Sequence, residues 1–335
     1  MAAKRWKRGA LSFAQRIGIF DLLQWPRLVG DQRLYVLMYH RVDEYTHRPW
    51  LDPEQISATP QQLEKQFRLI AAKYHSVSVE DVLAALDGQR SLPRRAVLVT
   101  VDDGYRDFGE VICPTAWRYG IRPVVFIPTA YVGQRSFWWD RLYQIVFFSA
   151  GEVLSTPLGE YSLRTEADKK LVLNHLRYRL KLLPFMEAIQ IVDGLYAGVP
   201  VRREWEQPST LNWEELRSLA SSGATIAAHT HTHPLLSRIP FDQACEEIRT
   251  SQALILREIG KAMPVFAFPE GKPQFYTPEL LDFLGEEGFK FILTTIEGSA
   301  SLSDGRALCF PRLAVRPSFS LAAFHVRMTP LYRER

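Results

Sequence analysis

Short apolar runs recur along the chain at Leu34–His40, Ala96–Asp102, Pro123–Ile127, Ala224–His229, Val265–Phe268, Phe289–Thr294 and Phe310–Val315. Runs of this length, bounded by Gly or Pro, read as strands buried on both faces, as in a parallel sheet. The stretches between them carry helix signals. Thr59-Pro60-Gln61-Gln62 supplies an N-cap, a proline at the first helical position and a capping-box Gln, and Leu63, Phe67, Ile70 and Tyr74 follow at helical spacing. Ser78 caps a helix running to Leu86 and stopping near Gly88, Asn212 and Glu215 make a second box, and Thr277-Pro278 opens a helix closed near Gly285 or Gly288. Strands alternating with helices predict an α/β fold with a parallel sheet, here an incomplete (β/α) barrel. In such barrels reactive side chains gather at the C-terminal ends of the strands.

One stretch breaks the rhythm. From Gln134 to Pro208 the chain carries Phe137-Trp138-Trp139-Asp140, then a helical face of Leu171, His175, Tyr178 and Leu182, then the charged run from Val201 to Pro208. It reads as a mostly helical insertion at about 134–208 within one catalytic domain spanning 34–335. Residues 1–33 form a separate basic amphipathic segment, with Phe13, Ile17, Phe20 and Leu23 on one face and Arg16 and Arg27 beside it. A helix of this kind either rests on an anionic leaflet or packs on the domain. Lys4 to Arg8 resembles the start of a signal peptide, but Gln15, Arg16 and Asp21 interrupt the apolar stretch and no small-residue cleavage site follows. Packing on the domain is the preferred of the two placements for this helix, and the expected location is the cytoplasm, with the inner face of the membrane as the alternative.

With 47% hydrophobic and 12% aromatic residues the chain supports a large core and is not a disordered sequence. A net charge of +4, with no basic stripe interleaved with aromatics and no zinc-finger spacing, excludes a nucleic-acid partner. Cys113, Cys245 and Cys309 are odd in number and far apart, which argues against a disulfide framework and for a reducing compartment. No stretch approaches the ~18 unbroken apolar residues of a membrane span.

Two of the strands end in metal-ligand chemistry. The first closes on Asp102-Asp103-Gly104, which by itself is also a common strand-to-turn sequence. The second closes on His229-Thr230-His231-Thr232-His233, three histidines within five residues. A His-x-x-x-His pair places two rings on one side of a turn or tight loop. One carboxylate with two histidines leaves a coordination position open, as a hydrolytic metal centre requires, and the mixed nitrogen and oxygen set suits zinc best.

These residues carry a resemblance. Thr100-Val101-Asp102-Asp103-Gly104 resembles the T-F-D-D-G motif of the polysaccharide deacetylases with a NodB homology domain, carbohydrate esterase family 4. His229 to His233 resembles the H-[S/T]-x-x-H motif of that family, and Phe266-Ala267-Phe268-Pro269-Glu270-Gly271 its third, groove-lining motif. The resemblance spans about Leu34 to Val315. It implies a deformed (β/α) barrel in which Asp103, His229 and His233 hold one divalent metal and Asp102 is the general base. The backbone near Tyr105 would bind the oxyanion, and Tyr105, Pro269, Glu270, Gly271 and Arg312 would face the substrate. His231 receives no role.

The chain departs from the common family pattern at three places. The arginine of the third motif is replaced by Val265-Phe266, the first two motifs are separated by the long insertion, and no Leu-x-His stands near the C-terminus. His325 reads as a helix residue. A permuted branch, similar to the poly-N-acetylglucosamine deacetylases of biofilm systems, carries its acid histidine on the first strand, and Val36-Leu37-Met38-Tyr39-His40 fits that arrangement. His40 is therefore the expected general acid, and Arg312 would orient Asp102 in place of the missing arginine. The expected reaction is removal of an N-acyl group, N-acetyl foremost, from an amino sugar in a polysaccharide, with a metal-polarised amide and His40 protonating the leaving amine. Trp138 and Trp139 read equally as sugar-stacking residues and as core. Two further readings stand beside this one: a deacylase or deformylase of lipid- or nucleotide-linked amino sugars, and an inactive carbohydrate-binding module.

Overall fold

The computed structural model describes residues 33–302, 309–329 and 332. The amphipathic face from Phe13 to Leu23 lies outside them.

Seven strands form the frame: β1 (Arg33–Tyr39), β2 (Ala96–Asp102), β3 (Val124–Ile127), β4 (Thr225–Ala228), β5 (Val265–Ala267), β6 (Phe291–Glu297) and β7 (Cys309–Ala314). Each expected apolar run became one of them, Ala96–Asp102 without change and the others with an end shifted by at most three residues. Around the ring the order is β1-β7-β6-β5-β4-β3-β2, every pairing parallel, and β1 pairs β2 to close it. The barrel is thus one strand short of eight yet closed. It is also uneven: β1 and β2 share six register pairs, β4 and β5 only Phe266↔Ala228, and β6 shifts register against β7 between Leu293 and Glu297.

Alternation along the strands sorts their residues into two cores. Leu34, Val36, Ala96, Leu98, Phe126 and Phe291 point into the barrel, where the helix α2 (Val79–Leu86) plugs the lower end with Val79 and Val82. Tyr35, Leu37, Val97, Val99 and Ile226 point outward, under α1 (Pro60–Lys73), α3 (Cys113–Arg118), α7 (Trp213–Ser221), α8 (Phe241–Ile259) and α9 (Pro278–Glu286). The capping boxes at Thr59, Ser78 and Asn212 form as their sequences require, and Thr277 accepts from the Leu280 amide. The inward file, continued upward, reaches Met38 and His40 on β1, Thr100 and Asp102 on β2, and Arg312 on β7 (the step of two that makes a strand amphipathic carries polar groups to the top of the same file).

Between β3 and α7 the chain builds α4 (Trp138–Phe148), a short antiparallel hairpin of Val153–Thr156 with Gly159–Ser162, α5 (Glu166–Leu182) and α6 (Phe185–Tyr196). These elements bury a core of their own around Phe137, Leu142, Ile145, Leu173, Leu176 and Trp205. The hairpin was not foreseen. The expected face of Leu171, His175, Tyr178 and Leu182 forms on α5 and faces solvent, while Val172, Leu173, Leu176 and Leu180 are buried. Both stripes satisfy helical spacing, so periodicity alone did not choose between them. Last in the chain, α10 (Leu321–Arg327) carries His325, buried with its ring edge-on to Tyr74. The three cysteines are free, and no helix among the described residues is long and apolar enough to cross a membrane.

Candidate active site

β2 delivers its polar end under tight local control. Thr100 Oγ1 donates to the Leu37 carbonyl at 2.7 Å, fixing the strand against β1. Asp102 follows, then Asp103 turns the chain with φ +75° and Gly104 with φ +76°. A Cβ on Gly104 would stand 2.7 Å from Ile127 Cγ2, so the turn admits no larger residue. Four of the five non-glycine residues with positive φ among those described lie at this end of the barrel: Asp103, Thr230, His233 and Glu270. Strain of this kind persists only where the surroundings hold it, and it concentrates at functional sites.

The histidine loop is held from two sides. His229 Nδ1 donates to the Ala267 carbonyl at 2.6 Å, which leaves Nε2 bare and aimed at Asp103. Glu247 of α8 accepts from the amides of His231 at 2.8 Å and Thr232 at 2.6 Å and from the Thr232 hydroxyl at 2.6 Å. His231 turns away, its Nδ1 2.9 Å from Thr129 Oγ1. His233 stacks obliquely on Trp139, with centroids 4.9 Å apart. Neither Glu247 nor the Trp139 contact is legible in the motif, because both arrive from elements distant in sequence.

Asp103, His229 and His233 converge. Asp103 Oδ1 stands 3.8 Å from His229 Nε2 and 3.6 Å from His233 Nε2, and one ligand atom from each of the three falls within 4.8 Å of the other two. Ligands at ~2.1 Å around a tetrahedral zinc stand ~3.4 Å apart, so the spacing fits a divalent ion with little adjustment. The protonation preferences fit as well. Burial holds His229 down at about 4 and, with help from His229, holds His233 well below the imidazole value, so both rings are neutral donors. Burial and then Asp102 push the Asp103 carboxyl well up, a carboxylate that needs a cation beside it.

Asp102 has a different partner. Arg312 rises inside the barrel from β7 and donates from Nη1 to Oδ1 and from Nη2 to Oδ2, both at 2.8 Å, while its Nε donates to the Thr294 carbonyl at 2.8 Å. Both side chains are almost fully buried. Burial works to raise the Asp102 carboxyl, but Arg312, with His229 and His40, outweighs it and holds the group down at about 2. Arg312 is spent on Asp102 and the Thr294 carbonyl and does not line the cavity above the site, so its expected place among substrate-facing residues is corrected: it positions Asp102.

His40 tops β1. The register sets Tyr39 opposite Val101, which brings His40 level with Asp102 on the neighbouring strand. Its amide donates to Ser57 Oγ at 2.9 Å, and its side chain lines the same cavity as Asp102, Asp103, His229 and His233. Burial lowers its pKa, against the pull of Asp102.

The third motif resolves unequally. Glu270 lines the cavity and pairs with Lys181 of α5. Pro269 and Gly271 do not reach it, a second correction; they close a tight turn in which the Gly271 amide donates to the Pro269 carbonyl at 2.7 Å with Glu270 at φ +60°. Gly271 is required because a Cβ there would lie 2.6 Å from the Thr295 amide nitrogen. A third correction concerns Tyr105, whose ring is buried rather than open to sugar. It donates to Asp140 Oδ2 at 2.8 Å and accepts from Trp139 Nε1 at 2.8 Å. The bridge between Tyr105 and Thr210 uses the Arg106 amide and the Gly104 carbonyl, not the Tyr105 amide. Trp138 and Trp139 pack in the insertion core, as one of their two readings expected, and both also line the cavity wall.

The polysaccharide deacetylase family model matches residues 89–292, more than half of the chain. The chain belongs to the polysaccharide deacetylase family. The match includes Asp102, Asp103, His229 and His233 but neither His40 nor Arg312, which flank it on the first and last strands. Solved structures of similar fold include the Streptococcus pyogenes deacetylase PplD in complex with acetate, at TM-score 0.61 and 17% identity, covering 90% of this chain and 100% of that one. IcaB from Ammonifex degensii follows at 0.56 and 19%, covering 89% and 97%, and a de-N-acetylase from Aggregatibacter actinomycetemcomitans at 0.55 and 15%, covering 88% and 100%. No curated relative matches at significance. These solved deacetylases thus share their barrel fold with this chain over nearly their whole lengths.

Proposed function

We propose that this deacetylase removes an N-acyl group, N-acetyl foremost, from an amino sugar, using one divalent metal, best zinc, held by Asp103, His229 and His233. The observation that carries this reading is the meeting, in one cavity, of that ligand triad, a second carboxylate clamped by a buried arginine, and an imidazole on the neighbouring strand. A divalent ion there would polarise the substrate carbonyl and acidify the attacking water, which a base as weak as Asp102 requires. Asp102, kept ionised by Arg312 through the neutral range, accepts the water's proton. The amide N–H of Tyr105 donates to the oxygen that gains charge. His40 donates a proton to the leaving nitrogen, which departs poorly as an amide anion. The products are a carboxylic acid, acetic acid foremost, and a free amino sugar.

A screen of N-acetyl and N-formyl amino sugars, free and carrier-linked, tests the activity. One divalent ion per chain is expected by elemental analysis, lost in Asp103→Ala and His233→Ala and kept in Asp102→Asn, which loses turnover instead. Equal metal content in wild type and both ligand variants removes the assignment, and turnover by metal-loaded Asp102→Asn at the wild-type rate removes the base. An inactive carbohydrate-binding module is disfavoured by the complete set of ligand, base and acid positions.

For the cell, the reading places the enzyme in the cytoplasm at the inner face of the membrane. Lys and Arg residues of 1–33, each worth ~1 kcal/mol near an anionic surface, motivate it. Sedimentation with anionic vesicles should exceed that of a shortened chain beginning at Asp31; identical sedimentation excludes the contact.

A further inference from the structure

The cavity over the site holds about 310 Å³ and has two chemically distinct walls. Its acids are all matched: Asp102 by Arg312, Glu270 by Lys181 and Glu297 by Arg327, with Asp103 in the ligand triad. Arg177 is likewise spent, on Asp52 and Glu54. Three cations are left over. Arg238 follows β4, Lys272 follows β5 and Arg316 follows β7; all are exposed, all line the cavity, and among the described residues none of their side chains meets a hydrogen-bond or ion-pair partner. A cavity that already matches its own carboxylates and still carries three cations is built for an anion.

The other wall is aliphatic. Leu180, Leu183, Phe185, Ala188 and Ile189, from α5, α6 and the turn joining them, line it. The apolar surface does not stop at the rim. At the same α5–α6 corner Leu182 is 47% exposed and Met186 64% exposed, and the stripe continues down α5 through Tyr178 and Leu171. Four of the ten large hydrophobic residues exposed among those described, Leu171, Tyr178, Leu182 and Met186, lie on α5 and the start of α6. Exposed apolar surface continuous with a cavity wall marks a path for an apolar ligand rather than scattered surface residues. A neutral sugar polymer offers neither the anion nor the aliphatic chain that these two walls would take up.

We propose that the substrate is an N-acylated amino sugar joined through a phosphate or diphosphate to a lipid, with the phosphate between Arg238, Lys272 and Arg316 and the lipid leaving over Leu183, Phe185, Leu182 and Met186. This rests on the deacylase reading and names its substrate class. The sugar lies at the ligand triad with its N-acyl group toward His40, and the carrier occupies the remaining cavity and the exposed corner.

Three probes, each in N-acetyl and N-formyl form, decide it with the full-length metal-loaded enzyme in detergent: glucosamine linked to farnesyl phosphate, the uridine diphosphate sugar, and a neutral glucosamine pentamer. The lipid phosphate is expected to exceed the neutral pentamer about 100-fold in kcat/KM, since two or three charge-assisted contacts at about tenfold each are at stake, and to exceed the nucleotide sugar, which shares the phosphate charge, through the apolar contacts of its lipid alone. The triple variant Arg238→Gln/Lys272→Gln/Arg316→Gln should lose most of that preference over the pentamer through KM, and Leu182→Ser/Met186→Ser should lose the preference over the nucleotide sugar. A pentamer cleaved as well as the lipid phosphate, a nucleotide sugar cleaved equally well, or a triple variant with unchanged preference overturns the inference while leaving the deacylase reading intact. Acid release from none of the probes removes both.

Discussion

His40→Ala keeps its metal and its affinity for substrate and loses ~10²–10⁴-fold in kcat on the amide, the range a positioned general acid contributes. The expectation rests on register: Tyr39 opposite Val101 brings His40 level with Asp102, on the strand beside it and in the same cavity. An amide nitrogen must be protonated as it leaves, whereas an aryl alcohol need not be, so an aryl acetate should lose far less than the amide. The pH profile carries a second readout. The acid works only while protonated, so kcat/KM falls as pH rises through its pKa, and burial sets that pKa below the usual imidazole value. This alkaline limb should disappear in His40→Ala. Equal proportional losses on amide and ester, or a limb that persists, would give the acid role to another residue.

Arg312→Met should cost about 3–5 kcal/mol of stability, because it strands the Asp102 carboxylate in the barrel interior without its partner. It should also lose turnover, since the base would no longer be held ionised or aimed. The pH dependence has a definite sign. Asp102 falls from the ordinary 3.8 to about 2 in the folded chain, so the pair stabilises the fold above pH 3.8 and that contribution is lost as pH falls toward 2. The gap in stability between wild type and Arg312→Met should therefore narrow across that interval and be widest near neutrality. Combining Arg312→Met with Asp102→Asn removes the stranded charge and should recover part of the stability but none of the activity, a non-additivity that a double-mutant cycle by urea unfolding measures. Additive losses would mean that the two side chains are not coupled in solution.

Much of this molecule is read directly from local pattern. Buried parallel strands need apolar residues on both faces, so all seven left continuous runs in the sequence, and N-caps need particular oxygens, so Thr59, Ser78, Asn212 and Thr277 marked their helices. Asp103, His229 and His233 were legible because each pair of motif residues is fixed by a turn of a few residues at a strand end. Four substrate-facing assignments, Tyr105, Pro269, Gly271 and Arg312, were not. Tyr105 has the right composition for a sugar platform but folds under the insertion onto Asp140, and Pro269 and Gly271 shape a turn without lining the cavity. Which stripe of α5 is buried was not legible, because a helix with two apolar stripes gives periodicity no basis for choice.

The sequence by itself determined the barrel strands, the Asp103–His229–His233 cluster and the family, since each depends on spacing within a few residues and on backbone preferences that act locally. Tertiary structure alone decided which residues from distant strands share the inside of the ring. Closure through β1 and β2 set His40 beside Asp102, and the inward file of β7 carried Arg312 to the same carboxylate across 210 residues of chain. Those meetings follow from the number of strands and their register, which depend on how the whole sheet packs and not on any local run of residues. The insertion roof is the same kind of fact: Lys181 on Glu270 and Trp139 on His233 exist because two cores bury their surfaces against each other, a constraint that no stretch of sequence states alone.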